Sequence, residues 1–313
     1  MLIVGIGSKG INIAADSSKN LSCDCLLISN NQRDLDRNHR SIFINSNPWI
    51  NPSTYRIRSF GQSSEAMFRS HLEGFSTVVL VANLGGKCGS AIAPMIGKIS
   101  KQTFSTRILT FVIMPFRFEK DRIFHAGISL KRLRHLSDAT VVFDNDALLE
   151  NNPDLSLDQC QRIAESALGE IVTSIATNYL ERDMNLLCTG GKANSSAKLH
   201  VKDCLSMLYQ STGPDTITRA TLYVMNRNQI SIGTVNSIIG TVQTIFKNKG
   251  TSNVSLSLSD SPDLKLHLLV SVEGKTRFDT YDPLGEIIPM EKTLDWEEMD
   301  SSPDFQMAIQ NME

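Results

Sequence analysis

"NLGGKCGSAIAP", residues 83–94, follows the apolar run Val78-Val79-Leu80-Val81-Ala82. An apolar run closed by Gly85-Gly86, then Gly89 and the small hydroxyl of Ser90, reads as a strand, a tight turn and a helix start. Backbone amides at such a helix start suit an anion. The turn is not a Walker A loop. That motif needs Ser or Thr after Gly86-Lys87 and a glycine five residues before Gly86, and here those places hold Cys88 and Val81. Lys87 and Cys88 put two side chains where a phosphate loop keeps its backbone bare.

A second glycine turn lies about 80 residues upstream, in "LIVGIGSKGINIAA". Gly5-Ile6-Gly7-Ser8-Lys9-Gly10 fits G-x-G-x-x-G between a strand and a helix, the dinucleotide-binding context. A nicotinamide site also wants an acid roughly 20 residues on, at the end of the second strand. That strand ends Ile28-Ser29-Asn30-Asn31, with Asp34 a turn too late. A nicotinamide-dependent enzyme is therefore a minor reading, and a tight strand–helix turn that binds nothing is the plainer one.

The two turns sit in a strand–helix alternation. "CDCLLIS", "SIFIN", "STVVLVAN", "RILTFVIMP" and "DATVVFDN" read as strands; "SSEAMFRSHLEGF", "AIAPMIGKISKQ" and "HAGISLKRLRHL" read as helices, with Pro94 tolerable only in a first turn. "NPWINPS" reads as a loop, because each proline keeps its predecessor out of helix. The alternation predicts an α/β fold with a doubly wound, mostly parallel sheet. "LSLDQCQRIAESALGEIVTSIATNYLERD" reads as a long central helix. After it, the polar connection "CTGGKANSSAK" leads to "RATLYVMN", "SNVSLSLSD" and "LKLHLLVSVEG", which are β-like, with "IGTVNSIIGTVQTIFKN" a helix among them. The expected division is residues 1–182 as the larger domain, 183–285 as a smaller α+β domain, and 286–313 as an acidic, flexible tail suited to docking on a partner.

Composition narrows the class. Hydrophobic residues make up 41% of the 313-residue chain, charged residues 20%, and the formal net charge is -2, which gives no pull toward nucleic acid or an anionic membrane. No apolar run approaches the ~18 residues of a membrane span, and Met1 leads directly into "LIVGIG" without a signal-peptide pattern. The six cysteines form no metal-ligand spacing and read as reduced thiols of a cytoplasmic protein; no metal is expected.

These turns, with three motifs that follow them, resemble the tubulin/FtsZ family, FtsZ and its archaeal relatives in particular. The family signature GGGTG[ST]G followed by AAP is similar to Gly85-Gly86-Lys87-Cys88-Gly89-Ser90-Ala91-Ile92-Ala93-Pro94. "PFxFEG" appears as Pro115-Phe116-Arg117-Phe118-Glu119-Lys120. The helix with Gly127-Ile128 and Leu130 follows, then the loop Asn145-Asp146-Ala147-Leu148-Leu149. The first turn ends in Asn12, where the family has a guanine-contacting asparagine. What the resemblance implies is a GTP or GDP site built from Gly5, Gly7, Ser8, Lys9, Gly10, Asn12, Gly85, Gly86, Lys87, Cys88, Gly89, Ser90, Glu119, Arg122 and Asn145, and head-to-tail filaments.

The chain departs from the pattern at functional points. A third signature glycine is Lys87, the threonine is Cys88 and the last glycine is Ala91, so each added Cβ crowds a backbone meant to lie against phosphate. Lys87 either offers its ammonium to phosphate or takes the phosphate's place. The stacking aromatic and the base-reading acid of the central helix fall on Cys160 and Ala164; losing a buried charged acceptor removes roughly 1.5–3 kcal/mol of recognition. "IRSFGQSSEA" has lost the Gly/Ala character of the family's third loop. The family's N-x-D-x-x-D loop after the central helix aligns with "KANSSAKLHVKDCLSM", leaving Asp203 with His200 in place of the other acid. Three readings follow. The leading one is a cytoskeletal or cell-division scaffold that self-associates or docks on another FtsZ-like protein, with GTP binding and hydrolysis weak or lost. The second is a working GTPase using Lys87, Asp203 and His200. The third is the nicotinamide enzyme.

Overall fold

The computed structural model describes residues 1–282 apart from 37, 47–48, 176–179, 181–183, 191–196, 226–230, 247–251 and 258–264. The expected tail and the boundary at 182/183 fall outside the described residues.

The apolar runs form strands because their β-branched side chains suit a pleated, buried surface. Leu2–Ile6 (β1), Asp24–Ser29 (β2) and Arg40–Phe43 (β3) lie on one side of Thr77–Asn83 (β4), and Arg107–Met114 (β5) and Ala139–Asp144 (β6) on the other. All pair in parallel, and every residue of β1 and β6 is buried, as expected of a sheet covered on both faces. Strand order reverses between β1 and β4, and this switch point opens a crevice at their carboxyl ends. The connecting helices are Gly7–Leu21 (α1), Thr54–Ser63 (α2), Glu65–Leu72 (α3), Lys87–Phe104 (α4), Lys120–Leu136 (α5) and Asn145–Asn151 (α6). The central helix, Leu157–Ile175 (α7), packs on α1.

Beyond it come Met184–Thr189 (β7), Ala197–Ser211 (α8), Ile217–Met225 (β8), Ile232–Phe246 (α9), Ser252–Ser257 (β9) and Lys265–Val272 (β10). These strands extend the same sheet. β7 pairs in parallel with β6, and β10 and β8 continue antiparallel, so among the described residues ten strands run as β3-β2-β1-β4-β5-β6-β7-β10-β8-β9. A final 3-10 turn, Arg277–Tyr281, returns to pack on α5.

Three local expectations change. "TYRIRSFGQS" is helix α2, not loop: Ser53 accepts from the Arg56 amide and caps its start. Pro94 lies two turns inside α4, because the helix begins at Lys87. Its ring frees the carbonyl four residues back, Ser90, and that oxygen accepts the Ser129 hydroxyl of α5 at 2.7 Å. "MNLLCT" is the buried strand β7, and part of the supposed catalytic loop is α8.

Candidate functional site

The two glycine turns meet at the switch point. The strand β1 gives way to α1 at Gly7, with φ +70°, and β4 gives way to α4 across Gly85 and Gly86. Gly10 and Gly89 allow the close approach this needs. A Cβ on Gly10 would stand 2.3 Å from the Val81 carbonyl oxygen, and one on Gly89 2.1 Å from that of Asn83. Neither α1 nor α4 has a side-chain cap or an acid in its first turn. Two uncapped sets of amides therefore meet beside one cavity of about 320 Å3.

Of the residues expected at a phosphate site, Gly7, Ser8, Lys9, Gly85, Gly86, Lys87, Cys88, Gly89 and Arg122 line this cavity. Gly5, Gly10, Asn12, Ser90, Glu119 and Asn145 do not, for identifiable reasons. Gly5 and Gly10 are taken up by packing. The Ser90 hydroxyl turns back to the Gly86 carbonyl at 3.1 Å, inside its own helix. Glu119 accepts from the Phe116 amide at 3.1 Å and holds Arg122. Asn145 is buried, donates to the Met114 carbonyl at 2.9 Å, and its Oδ1 is sealed from solvent without a partner among the described residues.

Other lining groups were not legible in the motifs. The 3-10 turn Gln32–Asp34 folds back, so that Asp34 reaches the cavity it seemed too late in sequence to reach. Its carboxylate is already engaged by the Ser29 hydroxyl (2.8 Å) and the Asn31 amide (3.0 Å). Asn51, from the loop ahead of α2, accepts the Lys87 ammonium at 2.7 Å. Among the described residues, Lys87 is the lining cation whose partner is neutral, since Lys9 faces Glu165 and Arg122 faces Glu119. Cys88 is buried between the turns, and burial pushes its thiol up to about 12 against weaker help from the Asn30 and Gly7 backbone. It stays a neutral thiol and adds no charge to the site.

The α7 side differs from expectation. Cys160 and Ala164 are fully buried in the core and meet no cavity. The next residue, Glu165, faces α1 instead. Its carboxylate lies 2.7 Å from the Lys9 ammonium and 3.5 Å from the Asn12 amide, which donates to it.

Asp203 and His200 are not brought to the cavity. Both lie on α8, which packs on β7 and β10. The strand β7 is three places beyond β4, about 14 Å at ~4.8 Å per strand. His200 is buried against Gly190, and the Asp203 backbone carbonyl accepts from Asn151 at 3.3 Å. The alignment of residues 192–207 with a loop after the central helix is thus corrected, because that segment follows the strand β7. Only residues 176–183 separate α7 from β7; they carry Asn178, Glu181 and Asp183 in sequence, and except for Leu180 they lie outside the described residues. No group of three or more metal-ligating side chains occurs among the described residues, and no described helix is long and apolar enough to cross a membrane.

Residues 1–153 match the model of the tubulin/FtsZ family GTPase domain. The cell division protein FtsZ of Mycoplasmopsis pulmonis is 25% identical over 225 residues, covering 71% of this chain and 54% of that protein. FtsZ of Methanothermobacter thermautotrophicus is 35% identical over 115 residues, 36% of this chain and 30% of that one. The chain thus spans about half or less of the length of these relatives. Among solved structures, a Methanocaldococcus jannaschii FtsZ superposes with a TM-score of 0.69 at 19% identity, over 87% of this chain and 90% of that one. CetZ2 from Haloferax volcanii, a GTPγS-bound protofilament, superposes with a TM-score of 0.64 at 18% identity, over 91% and 97%. Both carry the same fold.

Proposed function

For a chain that belongs to the tubulin/FtsZ family through residues 1–153, we propose a cytoplasmic, filament-forming or filament-docking protein of the cytoskeletal or cell-division class that binds a phosphate-bearing ligand and hydrolyses it slowly or not at all. The observation that carries the binding half is Lys87. Its ammonium lines a cavity flanked by two uncapped helix starts and is held there by a neutral amide. An anion gains both the aligned amides and an uncompensated charge. Lys87 is then a phosphate ligand rather than a stand-in for the phosphate.

The hydrolysis half rests on what surrounds the cavity. Among the described residues, Asp34 is the carboxylate that lines it, and each of its oxygens already accepts a hydrogen bond. Assembly is either with further copies head to tail or with another FtsZ-like protein, in keeping with the CetZ2 protofilament and a Methanocaldococcus jannaschii FtsZ dimer that share this fold.

Sedimentation of the purified chain with and without GTP, alongside phosphate release across a range of protein concentrations, tests this reading. The expected result is assembly alone or on an FtsZ filament, with phosphate release near background. A hydrolysis rate per chain that climbs with concentration overturns the slow-hydrolysis half, because it requires a working site shared between subunits.

A further inference from the structure

The cavity is well supplied with charge and poorly supplied with anything that could recognise a base. No aromatic side chain lines it among the described residues. On the α1 side, the lining Lys9 is already paired with Glu165 of α7 at 2.7 Å, and Asn12 donates to the same carboxylate at 3.5 Å. Both partners of the ion pair are largely shielded, with side-chain exposures of 30% and 20%. Lys9 starts from the first turn of α1 and Glu165 from α7, so the pair bridges two helices along one wall of the cavity. A ligand group entering between α1 and α7 must break a short charge pair and desolvate both halves again.

We infer that Lys9 and Glu165 form a latch that closes this wall, so that the site recognises a polyphosphate by charge and geometry without reading a base. The ligand class is an inorganic polyphosphate or the phosphate tail of any nucleotide. This rests on the phosphate-binding reading above. Lys87 supplies the attracting charge, and Glu165 works by neutralising Lys9 in the cavity wall rather than by touching the ligand.

Calorimetric titration of the full chain with tripolyphosphate, GTP and ATP tests the inference. The expected result is three dissociation constants within tenfold of one another, each weakened at least tenfold by Lys87→Ala. The variant Glu165→Gln keeps the shape but frees Lys9, and the expected result is tighter binding of all three by a common factor of about three or more. Two outcomes overturn the inference while leaving the phosphate site intact. One is a preference for GTP over both ATP and tripolyphosphate greater than tenfold. The other is a Glu165→Gln variant that loses GTP affinity alone, which would make Glu165 a base-reading group. If none of the three ligands binds, the phosphate-binding reading fails and the inference falls with it.

Discussion

At the scale of single residues, the turn into α4 sets two adjacent side chains in different surroundings. Lys87 starts α4 and holds its ammonium on Asn51, whereas Cys88, one position on, borders the same cavity but is buried. A helix rotates about 100° per residue, so neighbours in sequence do not share a face. The buried thiol is desolvated and held up to about 12, which removes it from nucleophilic chemistry at neutral pH. Cys25, Cys160, Cys188 and Cys204 are buried as well, and burial pushes each of them up; Cys23 is half-buried. Brief treatment of the native protein with a maleimide at pH 7.5 should therefore modify Cys23 first. Peptide mapping that found Cys88 labelled as fast as Cys23 would show that the cavity turn opens readily.

At the scale of elements, the strand–turn–helix units around the switch point were legible, because long apolar runs closed by glycine leave few alternatives. Three features were not. The helix α2 is flanked by a proline-rich loop and interrupted by Gly61, so its pattern looked irregular; Gly61 is there because Ile92 of α4 lies against it. The strand β7 is a six-residue apolar run next to a polar stretch, too short for periodicity to single out. A third feature is a side chain: Glu165, next to the buried Ala164, faces α1 and pairs with Lys9, a contact between distant helices that no local pattern announces.

The same helix carries a second carboxylate whose role no motif indicated. Glu170 of α7 meets His267 of β10 at 2.7 Å and Lys265 at 2.5 Å. Burial alone would raise its pKa; the hydrogen bond and charge of His267, then those of Lys265, overcome this and hold it down at about 2. A depressed carboxylate stabilises the fold above its unfolded value, about 4.5, and loses that contribution as pH falls toward 2. Replacement by glutamine should therefore lower stability at pH 7 by about 2–3 kcal/mol, with the deficit shrinking below pH 4.5. Urea unfolding at pH 7 and pH 3 checks both. An equal deficit at the two values would mean that packing, not charge, ties α7 to the distal strands.

At the scale of the molecule, what matters is how the distal strands are joined to the parallel, N-terminal part of the sheet. The joint has two parts. One is the β6–β7 pairing, which carries the sheet across without a break. The other is Arg277, from the last 3-10 turn, whose guanidinium is mostly buried among three acids of β6 and α6. It lies 2.8 Å from Asp144, 3.2 Å from Asp146 and 3.4 Å from Glu150. Asp144 also caps α6 through the Asp146 and Ala147 amides and accepts the Ser211 hydroxyl of α8 at 2.7 Å. One buried carboxylate thus joins β6, α6, α8 and the final turn. Burial raises the pKa of Asp144, and the facing charge of Arg277 opposes that rise. Removing the arginine leaves the carboxylate buried without its counter-charge, a change that typically costs about 3–5 kcal/mol. Arg277→Ala should therefore lower the unfolding temperature by several degrees. Because the sheet is continuous, both halves should still melt in one transition. The penalty should be largest near neutral pH and should shrink in acid, where Asp144 takes up a proton and no longer needs a partner. Arg277→Lys, which keeps the charge but not the fork of donors, should fall between the two. Differential scanning calorimetry of the three proteins at pH 7.5 and pH 4.5 measures this. A separate low-temperature transition confined to the distal strands in Arg277→Ala would instead make Arg277, rather than the shared sheet, the element that couples the two halves.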